Sequence, residues 1–207
     1  MQEKAGEYFE DREMASNVKR YEAMKQNGIF SYFDVDDIID IINFYIDNSY
    51  IKKAHDACKS GLSIHPTSAE LKLKNAQLFM ARGMANDALQ WLNKVRELSK
   101  WSHEYSLTKG MAMSLLNSKT KADKYFNKAI NLVVDNEKES VILNIADSLE
   151  KTNNVESAIY YFDLGSKLYP QSEEFYFRLG LSYNKTLRFA DIIYSPNQSS
   201  ILPIQHY

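Results

Sequence analysis

The chain has 207 residues, of which only 7 are glycine and 4 are proline. That excludes collagen, Pro/Gly-rich disorder and a β-sandwich that turns every few residues. With 25 basic and 27 acidic side chains the net charge is −2, so no global field recruits nucleic acid or an anionic membrane. The single cysteine, Cys58, has no internal disulfide partner and suits a reducing compartment.

Residues 1–34 form a charged N-terminal segment. Ala5 to Gln26 predicts a helix with Val18, Tyr21 and Met24 on one stripe, stopping near Asn27-Gly28, and the first ten or so residues are expected to be disordered. Ile29-Phe30-Ser31-Tyr32-Phe33 supplies an apolar connector, and the N-terminal helix is expected to cover the open side of the first helical unit after it. The start, MQEKAGEYFEDREM, is too charged for the apolar stretch of a signal peptide. No run reaches the roughly 18 apolar residues of a membrane helix. The longest candidate, Ile38 to Ile46, is broken by Asp40 and Asn43. A cytoplasmic location without a membrane segment is the expectation.

From residue 35 onward the chain repeats. Ala54, Ala88 and Ala122 recur at intervals of 34 residues and Ala158 after 36, which places an insertion near Asp135-Asn136-Glu137-Lys138. Four residues after each alanine stand Cys58, Leu92, Phe126 and Phe162; seven after, Gly61, Val95, Ala129 and Gly165. Ten after come Ile64, Leu98, Leu132 and Leu168, and Pro66 and Pro170 close the first and fourth units. These spacings place small and large apolar residues on one helical stripe. A second stripe lies upstream, with Ile42, Ala76, Gly110 and Ala146 followed by Tyr45, Phe79, Met113 and Leu149. Between the stripes sit turn residues: Asn48-Ser49, Gly83, Asn117-Ser118 and Asn153-Asn154. Each unit is predicted to be a helix, a short turn and a helix.

This period, with its order of small, aromatic, Gly, Ala, aromatic, Ala/Gly and Pro positions, resembles the tetratricopeptide repeat (TPR) from about Val35 to Ile192. The resemblance implies an all-α fold, a right-handed α-solenoid of helix-turn-helix hairpins. Its repeats would span residues 35–68, 69–102, 103–138 and 139–172, with a partial fifth over 173–192 and an irregular tail over 193–207. The large apolar position opening the first helix is Ile38, Ile142 and Tyr176, but Lys72 and Ser106 in the second and third units; the leucine position after it becomes Asn75 and Lys109. Either those helices are rotated, or their outer faces meet water or a partner. The fifth unit begins well, with Ser172 as a cap, Gly180 as the small residue and Tyr183 as the aromatic, but Ile192 replaces the expected alanine.

Little here points to catalysis. His55, His65, His103 and His206 lack the spacing of a zinc helix. Cys58 stands in a large-apolar position, which favours a packed thiol over a nucleophile. GxGxxG, Walker and GxSxG motifs are absent, and pairs such as Asp36-Asp37 and Glu173-Glu174 suit helix starts. Neither an enzyme nor a cofactor is expected.

The resemblance implies instead that the first helix of each hairpin lines a peptide groove. Its rows here are Asp36, Glu70, Glu104, Ser140 and Glu174; then Ile39, Leu73, Leu107, Leu143 and Phe177. The next are Asn43, Gln77, Met111, Asp147 and Leu181, and then Ile46, Met80, Ser114, Glu150 and Asn184. The second row is wholly apolar, which fits helix packing as well as recognition, and the acidic row also fits helix starts. With no Lys or Arg in the rows, an acidic peptide is a poor ligand; an apolar segment with basic flanks suits them better. Lys52, Lys53, Lys59, Lys119, Lys121, Lys124 and Lys128 on the second helices read as a solvated outer face. The reading is a non-catalytic protein-interaction scaffold. Its alternatives are a self-assembling slice of a longer array, joined through the incomplete last repeat, and a peptide or small-ligand sensor.

Overall fold

A small residue facing a large one, joined by a turn that only certain residues tolerate, sets each hairpin. The computed structural model describes residues 2–28 and 30–194, with side chains at 14–28, 30–98 and 100–187. Among the described residues every regular element is helical: α1 (Gln2–Asn27), α2 (Val35–Asp47), α3 (Ile51–Ile64), α4 (Ala69–Ala81) and α5 (Ala85–Asn93). A 3₁₀ turn (Arg96–Lys100) leads to α6 (His103–Leu115), α7 (Lys119–Leu132), α8 (Asp135–Lys151), α9 (Val155–Leu168) and α10 (Glu173–Tyr194).

Four turns join the paired helices, and each carries one left-handed residue: Ser49 at φ 62°, Gly83 at 72°, Asn117 at 56° and Asn153 at 60°. The next amides, of Tyr50, Met84, Ser118 and Asn154, donate to the carbonyls of Tyr45, Phe79, Met113 and Leu149 at 2.7–3.0 Å. This six-to-one bond satisfies a carbonyl that the ending helix would otherwise orphan, and it needs positive φ at the residue before. One full repeat beyond Asn153 stands Leu187, whose side chain disfavours that conformation. No turn forms there, and α10 runs unbroken for 22 residues. The predicted partial repeat therefore contains one long helix where a hairpin would need two. Two residues of the expected irregular tail, 193 and 194, are helical; the rest lies outside the described residues.

Helix starts show the same period. The side chains of Asp34, Ser68 and Ser102 accept the amides of Asp37, Leu71 and Tyr105 at 2.9, 3.2 and 3.0 Å. The two-residue insertion is absorbed in α8, which has 17 residues against 13 in α2, α4 and α6 and begins after the uncapped Val134.

The chain divides into two compact units, Met1–Leu132 and Val133–Tyr207. In the first, Ala54, Cys58, Ala88, Leu92 and Phe126 are fully buried, as are Ile42 and Ala76. Helix α1 starts at Gln2, in place of the disorder expected of the first ten residues, and packs on α2 through Val18 and Tyr21. The Tyr45 hydroxyl and Lys53 ammonium reach Glu22 at 2.6 and 2.8 Å, and Asn17 donates to Asp37 at 2.6 Å. Of the connector, Phe33 is fully buried while Phe30 and Tyr32 are exposed.

Helix α5 departs from the pattern: it has 9 residues where α3, α7 and α9 have 14. Its seventh-position residue is Val95, where the others have Gly61, Ala129 and Gly165. A Cβ on Gly61 would already stand 2.6 Å from Ile38. At this position the chain has already left the helix, with Val95 buried at φ −130°.

In the second unit Ala146, Ala158, Tyr161, Phe162 and Phe175 are fully buried. Gly165 lies beneath the Phe175 ring with no room for a Cβ. Gly110 in the first unit is equally confined, since a Cβ there would be 2.5 Å from Phe126 Cδ1, whereas Gly180 on α10 has nothing within 4 Å. Urea denaturation should therefore separate two identical substitutions. Gly110→Ala should lose about 1–3 kcal/mol through overpacking. Gly180→Ala should gain about 0.5–1 kcal/mol from helix propensity alone.

Candidate functional site

The rotation of each first helix decides which predicted groove residues are available. In α2 the buried side chains are Ile38, Ile41, Ile42 and Tyr45, so Asp36 is exposed and Ile39, Asn43 and Ile46 lie half-buried on the flank. In α4 Leu71, Leu73, Asn75, Ala76 and Leu78 are buried; Glu70 is exposed and Gln77 and Met80 half-buried. In α6 Glu104 is exposed, with Leu107 and Met111 half-buried. Two candidates belong inside instead. Leu73 is 4% exposed within a core cluster with Ala76, Leu92 and Tyr105, and Ser114 is 7% exposed. A ligand in a groove would not meet either. Because α2 packs on α4 and α4 on α6, the remaining residues share one flank of the first unit.

This flank carries three carboxylates, Asp36, Glu70 and Glu104, none in an ion pair with another described residue. Each stands in the first turn of its helix, where the dipole favours it.

The second unit is different. Leu143, Asp147 and Glu150 are half-buried on α8, and Ser140 is exposed. The α10 guanidinium of Arg178 donates to Glu174 at 2.7 Å and lies 3.7 Å from Asp147. Lys185 Nζ stands 3.9 Å from Glu150, and the Ser182 hydroxyl donates to the same carboxylate at 3.4 Å. The predicted acids of this unit are thus met by basic and hydroxyl side chains of their own chain. On α10 itself Phe177, Leu181 and Asn184 are all exposed. Sequence reading missed Arg178 and Lys185, which fall outside the groove rows; the spacing of Asp147 and Glu150 to the next first helix was the available signal.

The departures at residues 72, 75, 106 and 109 also resolve individually. Lys72 is half-buried, its ammonium donating to the Thr67 carbonyl at 3.2 Å. Asn75 and Ser106 turn inward, and their Oδ1 and Oγ have no hydrogen-bond partner among the described residues. Lys109 is half-buried beside Tyr105 and Tyr125.

Cys58 is fully buried, its thiol 3.5 Å from the Leu71 carbonyl, and burial pushes it up to about 12. His55 packs its ring edge-on against Phe79. No three metal-ligating side chains cluster among the described residues, and none of their helices is long and apolar enough to cross a membrane.

No family model matches the sequence, and no curated protein does. Solved structures do. TTC0263, a thermophilic TPR protein of Thermus thermophilus, superposes with a TM-score of 0.60 at 14% identity, covering 84% of this chain and 98% of that one. MamA (AMB-1) gives 0.53 at 19% identity, covering 80% and 99%. MamA residues 41 to the end from Desulfovibrio magneticus RS-1 give 0.51 at 14%, covering 67% and 77%. The class is therefore all-α helical hairpins in tandem, and in particular this chain has the tetratricopeptide-repeat fold.

The Cys58 environment has a direct consequence. At about pH 8 the native thiol should react with a disulfide reagent about a thousandfold or more slowly than in the urea-unfolded chain, because so little thiolate is present. A rapid, stoichiometric reaction of the folded chain would contradict its burial.

Proposed function

We propose that this chain is a non-catalytic protein-interaction scaffold whose recognition face is the first-helix flank of the first unit. The carrying observation is the contrast between the two units. Asp147 and Glu150 are answered by Arg178 and Lys185, while Asp36, Glu70 and Glu104 stand exposed and unpaired among the described residues beside the half-buried Ile39, Ile46, Met80, Leu107 and Met111. An apolar segment flanked by Lys or Arg complements such a face, burying its side chains on the stripe while its charges meet the acids. Asn43 and Gln77 add amide groups that can bond an extended backbone. The burial of Cys58 supports the non-catalytic reading, since it removes the one nucleophile candidate. As a soluble interaction module it would act in the cytoplasm.

The test is a display selection for peptides with the full chain as bait. Basic-flanked apolar sequences should be enriched. Their affinity should fall about tenfold or more for Glu70→Lys/Glu104→Lys, with helical circular dichroism unchanged. Enrichment of acidic peptides would refute the reading.

A second reading, self-association through α10, is favoured by one observation. Phe177, Leu181, Tyr183 and Leu187 are 62%, 46%, 50% and 65% exposed on that helix, around the open Gly180. Light scattering of the wild type should then show a dimer that Leu181→Glu returns to a monomer. A wild-type monomer at high concentration would remove this reading.

A further inference from the structure

A second feature of the first unit lies on a different flank of α6. Arg96 from the 3₁₀ turn, Tyr105 and Lys109 from α6, and Lys124, Tyr125 and Lys128 from α7 line a cleft of about 300 Å³. Tyr105 and Lys109 are two residues out of step with Leu107 and Met111, about 200° around a helix, so the cleft opens away from the proposed recognition face. Its lining holds four cations and no carboxylate. None of the four makes an ion pair with a described residue, and the acids nearest in sequence, Glu97 and Asp123, are not in the lining.

Lys109 sets this place apart from an ordinary basic surface. It occupies the position that is Ile41 and Ile145 in other first helices, both fully buried. Its ammonium donates to the Tyr105 hydroxyl at 3.1 Å and stands 5.4 and 5.0 Å from the Tyr105 and Tyr125 ring centroids. Tyr105 is only 1% exposed, so the ring that holds the lysine is itself fixed in the core. Burial opposes the Lys109 charge, but hydrogen bonds to Tyr105 and Tyr125 outweigh it and hold the group above the ordinary lysine range. The ammonium is therefore charged at neutral pH, with N–H groups beyond the one given to Tyr105 left for the cleft.

We infer that this cleft binds a phosphoryl group, held by Arg96, Lys109, Lys124 and Lys128. A single carboxylate carries one charge and would leave three cations uncompensated. A phosphate ester brings nearly two charges and three terminal oxygens, and a diphosphate brings more. Arg96 can take two phosphoryl oxygens in its planar fork while the lysines act as point charges. The volume suits a diphosphate or one phosphorylated side chain, at the small end of ligand clefts.

Calorimetric titration of the full chain at constant ionic strength tests this, with pyrophosphate, a phosphoserine peptide and acetate as probes. At least one phosphoryl probe should bind saturably, one per chain, and acetate should not. Tighter binding of pyrophosphate would identify a free phosphorylated compound as the ligand; tighter binding of the peptide would identify a modified side chain. Lys124→Gln/Lys128→Gln should weaken binding about tenfold or more. Lys119→Gln/Lys121→Gln removes the same charge from exposed positions of the same helix outside the cleft, and should change it less than about twofold. Both variants should keep the wild-type helical signal. No saturation by either phosphoryl probe up to about 10 mM, or equal losses in the two variants, would overturn the assignment.

Discussion

Everything in this structure depends on how closely the two helices of a hairpin approach. Where Gly110 faces Phe126, a single added carbon would already collide with the ring, and Gly61 is similarly confined by Ile38. Close packing of this kind forfeits contacts steeply if the helices part, so the pairing distance is held from both sides. The left-handed residue in each turn completes the constraint by bringing the second helix back at once. Once the small residue is pinned inward, the rest of the helix has no rotational freedom. Glu104, Leu107 and Met111 then lie on one flank of α6, and Tyr105 and Lys109 on another.

That dependence explains what could be read in the amino-acid sequence. The alanine, large-apolar and turn positions were legible because each is a backbone or packing requirement repeated at a fixed interval. Most of the large residues four beyond the alanines are fully buried, as are most of the alanines themselves. The caps Asp34, Ser68 and Ser102 obey the same interval and could have been found by it. The shortening of α5 was half visible: Val95 plainly stands where Gly and Ala stand elsewhere, but whether the chain widens its helices or abandons the helix depends on the surroundings of that one residue. The continuity of α10 follows from a missing turn residue, since Leu187 stands where Ser, Gly or Asn does in the other units. The site was less legible. Groove and core rows differ by about 100° on one helix. Leu73 and Leu107 share a row, yet the first is buried and the second only half-buried.

The middle hairpins carry polar residues at first-helix positions that are apolar in the first and fourth. Asn75 and Ser106 bury polar atoms without partners, each at a cost of about 1–3 kcal/mol. The corresponding residues of the first and fourth hairpins are isoleucines that are fully buried, namely Ile41, Ile38, Ile145 and Ile142. Departures from local consistency that persist in a fold tend to gather where something other than packing is being served. Here another such departure, Lys109, is the one that opens onto a charged cleft.

Near-neutral composition excludes a global field, but it says nothing about short distances. At physiological salt the screening length is about 8 Å, while a helix with its side chains is about 10–12 Å across. Opposite flanks of one helix are therefore electrically separate environments. Helix α6 uses this separation: Glu104 stands at its start beside the apolar flank, and Lys109 joins three further cations on another. In the second unit the same kinds of side chain are brought within reach of one another, as Arg178 and Asp147 are, and their fields cancel. A sum of charges over the chain merges these two arrangements, although only the first leaves charge available to a ligand. What separates them is the placement of a few side chains around helices whose rotation was already set by packing.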